Sequence, residues 1–141
     1  MNETVERIVD ELTWNCGRFP ESAMRAALEV GPAIVPPLLE SLERVSRRPN
    51  DVPNDYVLHL FAMFLLAQMR ERRAAAPLVR LCRLTDAEIE SLIGDVHTEN
   101  LPQILASVVG DDDAVLRELV EDDAVPPYSR AVALHALACC A

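Results

Sequence analysis

The sequence predicts an all-α fold, and three observations carry that prediction. Half of the residues are apolar but only 4% are aromatic. That balance, dominated by Ala and Leu, suits close helix–helix packing better than a β-sandwich, which wants Val, Ile, Thr and Tyr. The four glycines are too few for a hairpin-rich chain. Of the ten prolines, Pro20, Pro32, Pro53, Pro77, Pro102 and Pro126 fall near the head of apolar-periodic runs, where the missing N–H costs a helix nothing. At 141 residues the chain has the length of one domain with one continuous core, so a single domain over 1–141 is expected.

Hydrophobic spacing places the elements in order. A first helix over about 3–16 buries Val5, Ile8, Val9 and Leu12, with Asn2 or Thr4 as its cap and Gly17 as its end. Trp14 is either a partner anchor or core, and is read as core with Val5, Ile8 and Leu12. A second helix, 20–30, buries Ala23, Met24, Ala27 and Leu28 before Gly31-Pro32. A third, 33–46, turns Ile34, Leu38, Leu39, Leu42 and Val45 inward, and Arg47 to Asn54 form a loop. The fourth, 54–70, is apolar almost all round and reads as the central helix, covered on both sides. His59 within it is expected to be buried and hydrogen-bonded, as is His135 in the last helix. After the basic turn Arg70 to Arg73 come helices at 74–84, 86–93 (capped by Thr85 or Asp86), 101–109, 112–122 and 127–140.

An internal echo refines the architecture. Pro37-Leu38-Leu39-Glu40-Ser41-Leu42 matches Pro77-Leu78-Val79-Arg80-Leu81-Cys82 at an offset of 40, and Val115-Leu116-Arg117-Glu118-Leu119 repeats it more weakly 38 further on. Helix pairs repeating near 40 residues predict an α-α superhelix, a HEAT- or armadillo-like solenoid of about four antiparallel pairs.

Charge and cysteine usage exclude several function classes. Residues 1–84 hold 11 acids and 11 Arg, whereas 85–123 hold 12 acids against Arg117 alone. An acidic half repels phosphate backbones, so nucleic acid is not an expected partner; the acidic half is a solvated face or a docking face for a basic partner. All 13 basic residues are Arg, which removes Schiff-base and phosphate-loop lysine chemistry. Cys16, Cys82, Cys139 and Cys140 have neither disulfide-framework nor metal-ligand spacing. The acidic, amphipathic N-terminus is no signal peptide, and the longest apolar run, Leu60 to Ala67, is far short of the ~20 residues of a membrane span. A cytoplasmic protein without a cofactor is the expectation.

Four stretches carry a family likeness: Phe19 to Ala23, Leu65 to Ala74, Gly94 to Leu101 with Ile104 to Val108, and Tyr128 to Leu134. On these the chain resembles the bacterial domain-of-unknown-function 1186 family, a resemblance that implies a HEAT-type helical domain and leaves activity open. Members of that family often continue further, some into a Cys/His metal-binding module. This chain holds no such module, so no zinc role carries over. Its stop at Cys139-Cys140-Ala141, inside a helical pattern, points to a truncated C-terminal end or to homo-oligomerisation through the last helix.

The stretch from Gly94 to Leu101 concentrates the polar chemistry. Its structural reading makes Gly94 a helix C-cap, Thr98 or Asn100 the next N-cap, and Asn100 with Gln103 a capping box; Asp95 would accept from Arg70, Arg72 or Arg73. Its functional reading lets Asp95, His97 and Glu99 converge as metal ligands or as an acid–base set. Arg70, Arg72 and Arg73 either grip an anionic ligand or form intramolecular ion pairs. No nucleophile elbow, phosphate loop or Ser/Cys–His–Asp arrangement stands out. The preferred function is a non-catalytic module that binds a protein or peptide in a groove lined by the Arg70–Arg73 turn and the 94–101 break. A small-molecule or metal-dependent enzyme built on Asp95, His97 and Glu99 is the alternative.

Overall fold

The computed structural model describes residues 2–140; Met1 and Ala141, the two ends of the expected 1–141 domain, lie outside it. The regular secondary structure of the described residues is helical, with one isolated bridge between Trp14 and Tyr56 and no strand. No described helix is long and apolar enough to cross a membrane.

α1 (Glu3–Thr13) starts where the Asn2 side chain accepts from Val5 N at 2.8 Å, and buries Val5, Ile8 and Leu12 at helical spacing. It ends three residues earlier than the sequence suggests. The backbone turns extended at Trp14, and two hydrogen bonds tie it to the loop before the fourth helix: Val57 N to Thr13 O and Asn15 N to Asp55 O, both 2.8 Å. Trp14 therefore stands 51% exposed rather than in the core. α2 (Glu21–Val30) buries Ala23 and Ala27 but leaves Leu28, expected inside, 44% exposed. A 3-10 turn, Gly31–Ile34, leads into α3 (Val35–Arg47), which buries Leu38, Leu42 and Val45.

α4 (Leu58–Gln68) begins at 58, not 54, because Tyr56 and Val57 are held by the bridge to α1. It touches α1, α2, α3 and α8, the central place its composition predicts, with Phe64 left open on one side. α5 (Ala75–Cys82) follows a 3-10 turn, Arg72–Ala74. α6 (Asp86–Ile93) starts with a full capping box between Thr85 and Glu88. The expected break after Gly94 contains a further helical turn, α7 (Val96–Glu99), which runs almost directly into α8 (Leu101–Val109). α9 (Ala114–Glu121) and α10 (Pro127–Cys140) complete the order, and α10 packs on α8 and α9.

The buried apolar side chains form one cluster from Val5 to Ala136. The two clearer segments of the 40-residue echo lie in α3 and α5, which pack on each other. Leu38, Leu42, Leu78 and Leu81 are buried, and the Arg80 guanidinium donates to Glu43 at 3.1 Å and Ser46 Oγ at 3.0 Å. His135 is exposed, against expectation, because α10 turns Val132, Ala133 and Ala136 inward instead.

Candidate functional site

Gly94 takes φ +52°, a conformation open to glycine, and its N–H caps α6 by donating to Glu90 O at 3.0 Å. The chain then re-enters helix, with Glu99 N donating to Asp95 O at 2.9 Å and Asn100 N to Val96 O at 3.0 Å. That continuity removes the expected side-chain caps. Neither Asp95 nor Asn100 makes a cap hydrogen bond, and the Asn100–Gln103 box does not form.

A helical turn points neighbouring side chains in different directions, and this one separates the candidate residues. His97 points inward and is buried, with Nε2 at 3.0 Å from Ser129 Oγ. This contact joins two of the stretches that carry the family likeness. Burial pushes the imidazole below its usual pKa, against the pull of the Asp86 and Glu90 carboxylates. Asp95 and His97 line one concavity of about 390 Å³, with Asp86, Glu90 and Tyr128. Glu99 lines another, with Arg70. The three candidates thus do not converge, and among the described residues no group of three His, Cys, Asp or Glu is placed to hold a metal ion. Ser129 is fully buried, so its pairing with His97 ties α7 to α10 and presents no accessible nucleophile.

The arginine turn divides in the same way. Arg73 donates to Glu71, two residues before it, at 2.8 Å, not to the acidic region. That hydrogen bond holds the Glu71 carboxyl below its ordinary range. Two ion pairs do reach the acidic half from outside it: Arg83 lies 2.6 Å from Asp122 and Arg130 3.6 Å from Asp123. The Arg72 guanidinium packs where a side chain on Gly110 would otherwise stand: a Cβ there would lie 2.6 Å from its nitrogen. None of the three donates to Asp95.

Arg70 is the unusual residue. It takes φ +52°, and among the described residues it alone does so without being glycine. The position closes α4 by a Schellman arrangement, with Arg70 N donating to Ala67 O at 3.0 Å and Glu71 N to Leu66 O at 2.9 Å. Glycine is the residue that suits such a site, and a side chain there costs on the order of 1 kcal/mol. Arg70 makes no ion pair among the described residues. Replacing it by glycine is therefore expected to raise stability by about 1 kcal/mol in urea unfolding; an equal loss would show that the side chain anchors the fold.

Arg70 and Glu99 border a groove of about 460 Å³ between the end of α4 and α8. Phe64, 38% exposed, contributes its apolar wall. Asn100, just before α8, and Gln103 and Ser107 on it line the groove at helical spacing, and Ser107 Oγ is turned back onto Gln103 O at 2.9 Å. The side-chain amides of Asn100 and Gln103, each with donors and an acceptor, make no hydrogen bond among the described residues. The sequence named Asn100 and Gln103 only as capping residues, though their stripe with Ser107 on an otherwise apolar helix was a readable signal. Phe64 gave none, because an apolar run cannot say which of its members stays open.

His59 behaves as expected. It is buried, and its Nε2–H donates to Leu92 O at 2.6 Å, leaving Nδ1 buried without a partner. Its ring stacks on Tyr56 at 5.7 Å and 4°. Tyr56, which the sequence did not single out, also meets Ser41 Oγ through its hydroxyl at 2.7 Å, the Trp14 ring edge-on at 5.9 Å and the Arg44 guanidinium at 5.7 Å. The Cys82 thiol, fully buried, is pushed up to about 12 and is chemically inert.

Fold and groove together define an all-helical protein with open concavities and, among the described residues, no group of three His, Cys, Asp or Glu placed to hold a metal ion. The chain belongs to the family described as "Protein of unknown function (DUF1186)", which matches residues 3–141. It is 38% identical over 139 residues to an uncharacterized protein of Chlamydia trachomatis serovar D, covering 97% of this chain and 55% of that one. A Chlamydia muridarum protein, also uncharacterized, is 38% identical over 135 residues, covering 94% and 54%. The chain thus spans about half the length of the curated relatives it matches. No solved structure matches it significantly.

Proposed function

We propose that this protein is a non-catalytic helical-repeat module that binds a peptide segment of a partner protein in the groove between α4 and α8. The single observation that carries the reading is Arg70: a charged side chain held at positive φ, where glycine would serve the fold better, and left without an ion pair beside an open groove. Backbone strain of this kind persists where a side chain is needed for something other than folding. The groove supplies matching chemistry. Arg70 takes a carboxylate, Phe64 an apolar side chain, and the amides of Asn100 and Gln103 pair with an extended backbone. The packing of α3 on α5 through the two copies of the echo supports a HEAT-like stacking of helix pairs, which leaves inter-helix grooves of this sort available.

A random peptide library displayed on phage, panned on the protein, tests the proposal. Enriched peptides are expected to carry an acidic residue near an apolar one and to bind Arg70→Glu at least about tenfold more weakly, with melting unchanged. Acidic–apolar peptides that bind Arg70→Glu equally well, or no enrichment of such peptides, would overturn it.

A further inference from the structure

A second open surface lies at the other end of α4, beside the end of α1, and is independent of the groove above. Trp14 and Phe19 are the two large aromatic walls of a concavity of about 680 Å³, and they stand 51% and 64% exposed. Each ring is fixed along one edge only. Trp14 sits edge-on to Tyr56, its backbone pinned by the bridge, and Phe19 sits edge-on to Phe61 at 6.2 Å. A smaller concavity of about 220 Å³ continues past Trp14 to Phe61. Rigid aromatic walls, open on the facing side, accept an apolar side chain with little ordering of their own.

The charge around them selects among occupants. Asp10 and Glu11 lie in the last turn of α1, which holds no basic residue, so two carboxylates add to the negative end of the helix dipole. Neither makes an ion pair among the described residues, whereas Glu21, on the same rim, is paired with Arg25 at 2.9 Å. Among the described residues Arg18 is the one cation lining the concavity. We propose that this surface docks a partner segment presenting one large apolar side chain flanked by Arg or Lys. The apolar group lies between Trp14 and Phe19, and the cation meets Asp10, Glu11 and the end of α1.

The lone tryptophan of the chain makes the test direct. Panning the same phage library on the Arg70→Glu protein removes the first groove from the measurement. Enriched peptides are expected to pair an apolar residue with Arg or Lys and to shift Trp14 emission to the blue. Their binding is expected to weaken with added salt, and roughly tenfold or more in both Glu11→Lys and Phe19→Ala. Both side chains are exposed, so the variants are expected to melt as the parent does. Acidic consensus peptides, binding that leaves Trp14 emission unmoved, or no enrichment would overturn the proposal. So would a dimer seen by light scattering that Trp14→Ser abolishes, since the occupant would then be a second copy.

Discussion

Leu66→Ala is expected to lower the unfolding free energy by about 3–5 kcal/mol, the upper range for truncating a buried leucine. Leu66 is fully buried on α4, the helix that touches α1, α2, α3 and α8. A cavity there has packed helices on several sides, and no single neighbour can collapse to fill it. Its carbonyl also receives Glu71 N in the turn that presents Arg70, so disorder at this point reaches the groove. The contrast is Phe64→Ala on the same helix. Phe64 is 38% exposed on the groove side, and its truncation is expected to cost no more than about 1 kcal/mol while weakening peptide binding. Urea unfolding of the two variants, compared at constant m, checks both halves. Equal losses would show that α4 is not the central helix of the core.

Acid is expected to destabilise the protein well above the range where carboxylates titrate. His59 and His97 are buried, and burial holds both imidazoles below their usual value of 6.5. For His59 the hydrogen bond to Leu92 O pulls the other way, and for His97 Asp86 and Glu90 do so; in both cases burial wins. The unfolded chain then binds protons that the folded chain refuses. Stability is full above about pH 6.5 and falls as pH drops below it toward the lowered folded-state values. Charging His59 would also bring a proton to Nδ1, which has no acceptor within the core. The paired carboxylates act in a separate window. Hydrogen bonds from Arg47, Arg73 and Arg83 hold Glu43, Glu71 and Asp122 below their ordinary values, so what they contribute is lost only below about pH 4.5. Urea midpoints measured from pH 8 to pH 5 are expected to decline, and to flatten over that interval in His59→Gln/His97→Gln. An unchanged slope in the double variant would show that other groups govern it.

The helical class was legible because Ala/Leu spacing and the placement of proline are local signals, and the caps at Asn2 and Thr85 were local as well. Long-range contacts were not. Trp14 was read as core, but at 100° per residue it falls on the side of the helix opposite Val5, Ile8 and Leu12; the bridge to Tyr56 ends α1 before it, and nothing near residue 14 announces residue 56. The stretch from Gly94 to Leu101 was singled out for its density of polar side chains. Its alternating polar residues suggested one loop converging on an ion, whereas the backbone there is helical and sends His97 to Ser129 and Glu99 to Arg70's groove. The Arg70–Arg73 turn was visible as a charge run, but which arginine stays free depends on Glu71 and Gly110.

Amide chemical-shift mapping of the protein with a panned acidic–apolar peptide tests the binding reading most directly. Shifts concentrated at Phe64, Arg70, Asn100, Gln103 and Ser107, and lost in Arg70→Glu, are the expected result. Shifts that leave those five residues unmoved while the peptide binds would contradict it.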